Sequence, residues 1–183
     1  FNLFVFLEIS SLSAYALISL GHSRRALTAA FQYLVMGTIG ATFILIAIGL
    51  MYMMTGTLNM ADMAERLKRT IELGERTLVV PQTRTILVAF AFLSVVIIIK
   101  MALFPLHIWL PNAYAYAPSL VTAFLAATAT KVSVYILLRF VFSVFGVTFA
   151  FETLGLGGVL MFLSLLGIFV ACLFIHISEP TRR

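Results

Sequence analysis

The chain has 183 residues, 62% of them hydrophobic and 10% charged, with a mean hydropathy of +1.12 and a formal net charge of +5. Charged residues make up about 25% of a typical soluble domain, so this composition excludes an ordinary soluble enzyme. No dense basic stripe accompanies the positive charge, which excludes a nucleic-acid binder. The lone cysteine, Cys172, rules out an intrachain disulfide and a CxxC metal site. It reads as a small buried hydrophobe.

Taken in chain order, apolar runs long enough for membrane helices fall at about 1–20, 27–54, 85–110, 118–142 and 154–177. In lipid the backbone must satisfy itself, and the runs lack the apolar/polar alternation of a barrel, so the spans are expected to be helices. The third is interrupted by Pro105. The fold class is therefore all-α: a single transmembrane domain over 1–183, a polytopic bundle of about five spans, one broken by proline. The chain starts inside an apolar run without a signal-peptide pattern and is expected to be a piece of a longer protein.

The hydrophilic stretch 55–84 holds a short amphipathic helix. Met60, Met63, Ala64, Leu67 and Ile71 share one face, while Asp62, Glu65, Arg66 and Arg69 fall elsewhere. Asn59 is its candidate N-cap. Glu65–Arg69 and Glu72–Arg76 have i,i+4 spacing. Gly74 and Pro81 are expected to break it. The helix should lie on the membrane surface or against the spans, its charges forming a solvated face. Short-loop arginines near span ends set orientation, and Arg24 and Arg25 cast a mild vote for their side being cytoplasmic.

Three ionisable residues lie within apolar runs: Glu8, Lys100 and Lys131. Each costs about 2.5–3.5 kcal/mol at a bilayer centre unless it is paired or hydrated, which makes each a functional-site candidate. Lys131 sits mid-span, on one face with Thr128 and Tyr135 at i, i+3, i+7 spacing; such a polar strip can carry a file of waters. The bland alternative is a structural lysine bonded to backbone carbonyls. Lys100 precedes Pro105, whose missing donor falls on the Met101 carbonyl, and a distorted helix beside a charge suits an ion path. Glu8 shares a face with Ser11 and Tyr15. A carboxylate beside a lysine favours its charged form, so a pair that separates and rejoins can load and release a proton. His107 is either a proton shuttle or a partner for backbone freed by Pro105. Trp109, Tyr114 and Tyr116 fit an interfacial aromatic belt. His176 reads first as a helix-end residue. No P-loop, GxGxxG, cysteine cluster or HExxH occurs, so no cofactor and no metal are expected.

The stretch from Lys100 to Pro118, KMALFPLHIWLPNAYAYAP, resembles the signature of the antiporter-like subunits of respiratory complex I and the Mrp cation/proton antiporters. The stretch from Ala129 to Arg139, ATKVSVYILLR, continues it, and the 31-position separation of Lys100 and Lys131 is similar to that of the family's two lysines. The run from Phe4 to Ile18 resembles the family helix that bears its key glutamate. Thr55–Asp62, TGTLNMAD, is similar to a loop in the Mrp branch of the family, in its D-type members. The resemblance covers nearly the whole chain.

It implies that these are the fifth through ninth spans of the family, with Glu8 and Lys100 as its ion pair, Lys131 as the connecting lysine of a hydrophilic axis and the third span as a broken helix. The implied function is translocation of protons and a monovalent cation by a subunit that is not an enzyme by itself. Its implied partners are the lipid bilayer and the other membrane subunits of a hetero-oligomeric complex, and its implied location is a bacterial inner membrane. The alternatives are a proton-pumping subunit of a redox complex, such as complex I or a membrane-bound hydrogenase, and a structural scaffold whose charges lock helices together.

Overall fold

The computed structural model describes residues 2–21, 23–77, 80–153 and 155–178, with side chains described outside 70–83, 153 and 174–178. Among the described residues the regular elements are all helical: α1 (Asn2–Ser19), α2 (Arg24–Thr55), α3 (Met60–Thr77), α4 (Val80–Met101), α5 (Trp109–Tyr116), α6 (Ser119–Arg139) and α7 (Leu156–Ser178). Five stretches are long and apolar enough to cross a membrane: Asn2–Ser19, Arg24–Thr55, Arg84–Met101, Ser119–Phe145 and Leu156–Leu173. The protein is an all-α polytopic bundle, as its composition requires.

Local signals set the ends of α2. The Ser23 side chain accepts from Ala26 N at 3.1 Å, and Gly56, at φ 67°, donates its N–H to Tyr52 O at 2.7 Å. Gly56 takes the left-handed cap conformation at no steric cost. The 32 residues between span about 48 Å, more than an apolar bilayer core of about 30 Å, so α2 tilts or projects beyond it. It is the central helix, packing against α1, α4 and α5.

α3 starts where expected, with Asn59 Oδ1 accepting from Ala61 N at 3.0 Å. Its buried Met63 and Leu67 join a core with Met51 of α2, Ile86 of α4 and Val144 and Phe145 beyond α6. Arg69 pairs with Glu65, and Arg66 pairs with Asp62 at 2.9 Å while donating to Thr55 O at 3.2 Å. The expected break is displaced. The helix runs through Gly74 to Thr77, and Pro81 stands in the first turn of α4, where a missing N–H costs nothing. The Glu72–Arg76 pair falls outside the described side chains.

The third span is a helix, a break and a second helix. α4 stops at Met101, the carbonyl for which Pro105 has no donor. Ala102 adopts φ 53°, Ala102 N donates to Ile99 O and Leu103 N to Ile98 O, each at 3.1 Å. This is the Schellman closure, with alanine where glycine is usual; the left-handed alanine costs about 1–2 kcal/mol. Residues 102–108 turn, and α5 begins at Trp109.

The fourth span runs further than expected. α6 passes into a π-helical stretch, Phe140–Phe145, whose buried Val141, Val144 and Phe145 meet α3. A second π-helical stretch, Phe149–Thr153, leads to α7. α7 packs chiefly against that stretch, which leaves Cys172 exposed instead of buried.

Candidate functional site

Lys100 stands in the last turn of α4, where unsatisfied carbonyls and the helix dipole favour a cation. Its Nζ lies 3.4 Å from Glu8 Oε1 on α1 and donates to Ser11 Oγ at 2.9 Å. Ser11 Oγ in turn donates to Leu7 O at 2.9 Å, so one buried hydroxyl links the ammonium to the α1 backbone. The side chains of Lys100 and Glu8 retain 14% and 22% exposure, which makes this a largely desolvated pair. The i, i+3 spacing of Glu8 and Ser11 presents both to one cation. Against Lys100 lies a cavity of about 10 Å³ bordered by Leu7 of α1 and by Ser133 and Ile136 of α6. The arrangement sets an ammonium between a carboxylate and a hydroxyl acceptor on one face of α1.

The polar face of α1 continues inward. Tyr15 is buried, and its hydroxyl lies against Gly37 of α2, where an added Cβ would fall 1.7 Å from the oxygen. Tyr15 meets Tyr33 edge-on with ring centroids 4.6 Å apart. Tyr33 stacks on Trp109 at 4.2 Å and 3°.

Lys131 is placed differently. It is exposed among the described residues, and its Nζ donates to Ala126 O of its own helix. Tyr135 on the same face is exposed as well, and the half-buried Thr128 donates its hydroxyl to Phe124 O at 2.8 Å. Lys131, Thr128 and Tyr135 thus share a face, but not the one that meets Lys100; Ser133 occupies that side. Pro105 is exposed in the break between α4 and α5. His107 packs near Phe104, ring centroids 5.6 Å apart, with Nδ1 buried and unpartnered among the described residues. That nitrogen therefore does not cap the freed backbone.

A donor to the last turn of α4 comes instead from Trp109, which is buried and gives its indole N–H to Ile99 O at 3.0 Å, two residues before the carbonyl that Pro105 frees. It does not join an interfacial belt: a ring with one polar edge suits an interface or a buried carbonyl equally, and here the unfinished end of α4 claims it. Ser133, which the sequence offers only as a further hydroxyl near Lys131, borders this site, as does Tyr33, which no sequence signal singles out. The side chain of His176 is outside the described residues.

The chain is similar to known membrane subunits along most of its length. The family model described as NADH:quinone oxidoreductase/Mrp antiporter, transmembrane, matches residues 1–176. The N subunit of NADH-quinone oxidoreductase from Desulforudis audaxviator is 49% identical over 144 residues, 79% of this chain and 26% of that protein. The D subunit of the Na(+)/H(+) antiporter from Alkalihalophilus pseudofirmus is 34% identical over 170 residues, 91% of this chain and 32% of its own length. Among solved structures, a chain of the membrane-bound sulfane sulfur reductase, an archaeal respiratory membrane complex, superposes with a TM-score of 0.65 at 36% identity, covering 76% of this chain and 26% of that one. The chain thus spans about a quarter to a third of the length of the curated relatives it matches. With the match extending over residues 1–176, the chain belongs to the NADH:quinone oxidoreductase/Mrp antiporter transmembrane family.

Proposed function

We propose that this chain is part of a proton-translocating membrane subunit in which Lys100 carries the proton, Glu8 holds and releases it, and Lys131 continues the path. The observation that carries the reading is the largely desolvated Lys100–Glu8 pair, 3.4 Å apart at the broken end of α4. Bringing two charges out of water costs several kcal/mol per ion, and hydrophobic replacements are often as stable, so such a pair is weakly explained by stability alone. Ser11 gives the ammonium a second acceptor while the carboxylate moves. Lys131, exposed on α6, has a cation's need for water or a polar partner within an apolar span, which a contact with further spans of the same protein would meet. His107 is a candidate shuttle beside the break.

The whole protein would work among other membrane subunits and exchange a monovalent cation, most simply sodium, for protons, without being an enzyme by itself. The match to the D subunit of an Na(+)/H(+) antiporter over 91% of the chain supports this coupling. A second reading, redox-driven proton pumping, has support from the 49% identity to an NADH-quinone oxidoreductase subunit.

The test uses the whole subunit in its complex, in inverted vesicles from a host without its own antiporters, with wild type beside Lys100→Ala and assembly checked for both. Sodium that collapses a preformed pH gradient only in wild type supports antiport through Lys100. If sodium has no effect but pumping driven by an electron donor requires Lys100, the coupling is redox. Wild-type behaviour of assembled Lys100→Ala in both assays overturns the lysine's role.

A further inference from the structure

The end of α4 is closed by its own turn and takes one further donor from outside. Its last carbonyls lack partners within the helix, and its cap rests on Ala102 in the left-handed region at φ 53°. One donor arrives from another element: the Trp109 indole of α5, which gives its N–H to Ile99 O at 3.0 Å. That carbonyl belongs to the peptide preceding Lys100, and it already accepts from Ala102 N at 3.1 Å, so the two donors together fill its acceptor capacity.

Trp109 is itself fixed. It is 4% exposed and stacks on Tyr33 of α2 at 4.2 Å, and Tyr33 meets the ring of Tyr15 on α1 at 4.6 Å. Tyr15 lies on the same face of α1 as Glu8 and Ser11, about 10 Å further along the helix than Glu8. The aromatic row therefore joins the helix that carries Glu8 to the end of the helix that carries Lys100 by a route separate from the ion pair. We infer that Trp109 is a positioning residue for proton transfer at Lys100, its indole N–H fixing the last turn of α4 so that the ammonium stays within reach of Glu8 and Ser11.

The inference rests on the proton-carrying reading of Lys100 given above. The groups that meet that ammonium are Glu8 and Ser11 from α1; Ser133 of α6 borders the adjoining cavity with its hydroxyl on Ala129 O, and Lys131 lies on another face of α6. A packing role requires the ring of Trp109, whereas a positioning role requires its N–H.

The experiment separates these two in the assembled complex. Proton translocation is measured in vesicles for wild type, Trp109→Phe, Trp109→His and Lys100→Ala, each normalised to subunit content. Maximal rate and half-saturating concentration of the driving substrate, sodium or electron donor, are recorded. Trp109→Phe should lose about tenfold in maximal rate, as for misplacement of a reacting group, with half-saturation unchanged. Trp109→His, which restores a ring N–H, should recover part of the rate. If Trp109→Phe does not assemble, 3-benzothienylalanine at position 109 keeps the shape of the ring and removes only the donor, and the same loss is expected. Wild-type rates from the donor-free variant overturn the inference while leaving Lys100 in place. Wild-type rates from Lys100→Ala overturn the lysine reading itself, and this inference with it.

Discussion

Lys100 and Lys131 both lie in apolar spans, the first in the last turn of α4 and the second within α6, and the fold treats them in opposite ways. Lys100 turns into the bundle at a broken helix end, with a carboxylate at 3.4 Å and a serine hydroxyl at 2.9 Å. Lys131 turns outward on a continuous helix and donates a hydrogen bond to a carbonyl of that same helix. An apolar span alone therefore does not fix how its lysine is held. Under the proposed function, the lysine paired with a carboxylate is the one that exchanges a proton, and Lys131 joins the path once another span faces it.

The largest expected effect contrasts the two directly. Lys100→Met leaves the Glu8 carboxylate without its partner, which should destabilise the protein by about 3–5 kcal/mol, as for a broken buried pair. Lys131→Met should change stability by less than about 1 kcal/mol if its only partner is the Ala126 carbonyl found among the described residues, and by more if another span supplies a partner charge. Thermal midpoints of the purified complex measure both, and equal losses would erase the distinction.

Ala102→Gly comes next. It relieves the left-handed residue behind Lys100 and should raise stability by about 1 kcal/mol. A lower midpoint would show that the turn is held in another way.

The smallest effect lies away from both lysines, at the exposed start of α3. Hydrogen bonds from Arg66 and then Thr57 hold the Asp62 carboxyl below the ordinary carboxylate range, outweighing its desolvation. With the folded value depressed, its contribution is complete above the unfolded value of about 3.9 and is lost as pH falls through the folded one. Asp62→Asn should therefore lower the thermal midpoint slightly at pH 7, and the gap should close in acid. A gap that stays constant with pH would mean that the charge is not its cause.

The sequence makes the spans legible because their apolar runs are long, and it marks the break because Pro105 cannot supply the donor that Met101 needs. It singles out Glu8 and Lys100 because charges in lipid are costly. It does not disclose which way α6 faces: the span is apolar on nearly every side, so no stripe distinguishes the Ser133 side from the Lys131 side. Helical spacing groups Thr128 and Tyr135 with Lys131, and spacing cannot say whether their shared face turns inward. Trp109 is ambiguous because its indole suits a membrane interface as well as a buried carbonyl. Gly74 is a poor guide to the end of α3, because its cost of about 1 kcal/mol within a helix is small beside the packing of the preceding apolar face.

Above all, Glu8 and Lys100 should act as one unit. Proton translocation by the assembled complex, measured for Glu8→Gln, Lys100→Met and the double variant at equal subunit content, tests this most directly. Residues that act together are strongly non-additive, so the double variant should be no slower than the slower single one. Losses that multiply in the double variant would mean that the two residues serve separate steps and are not a pair in function.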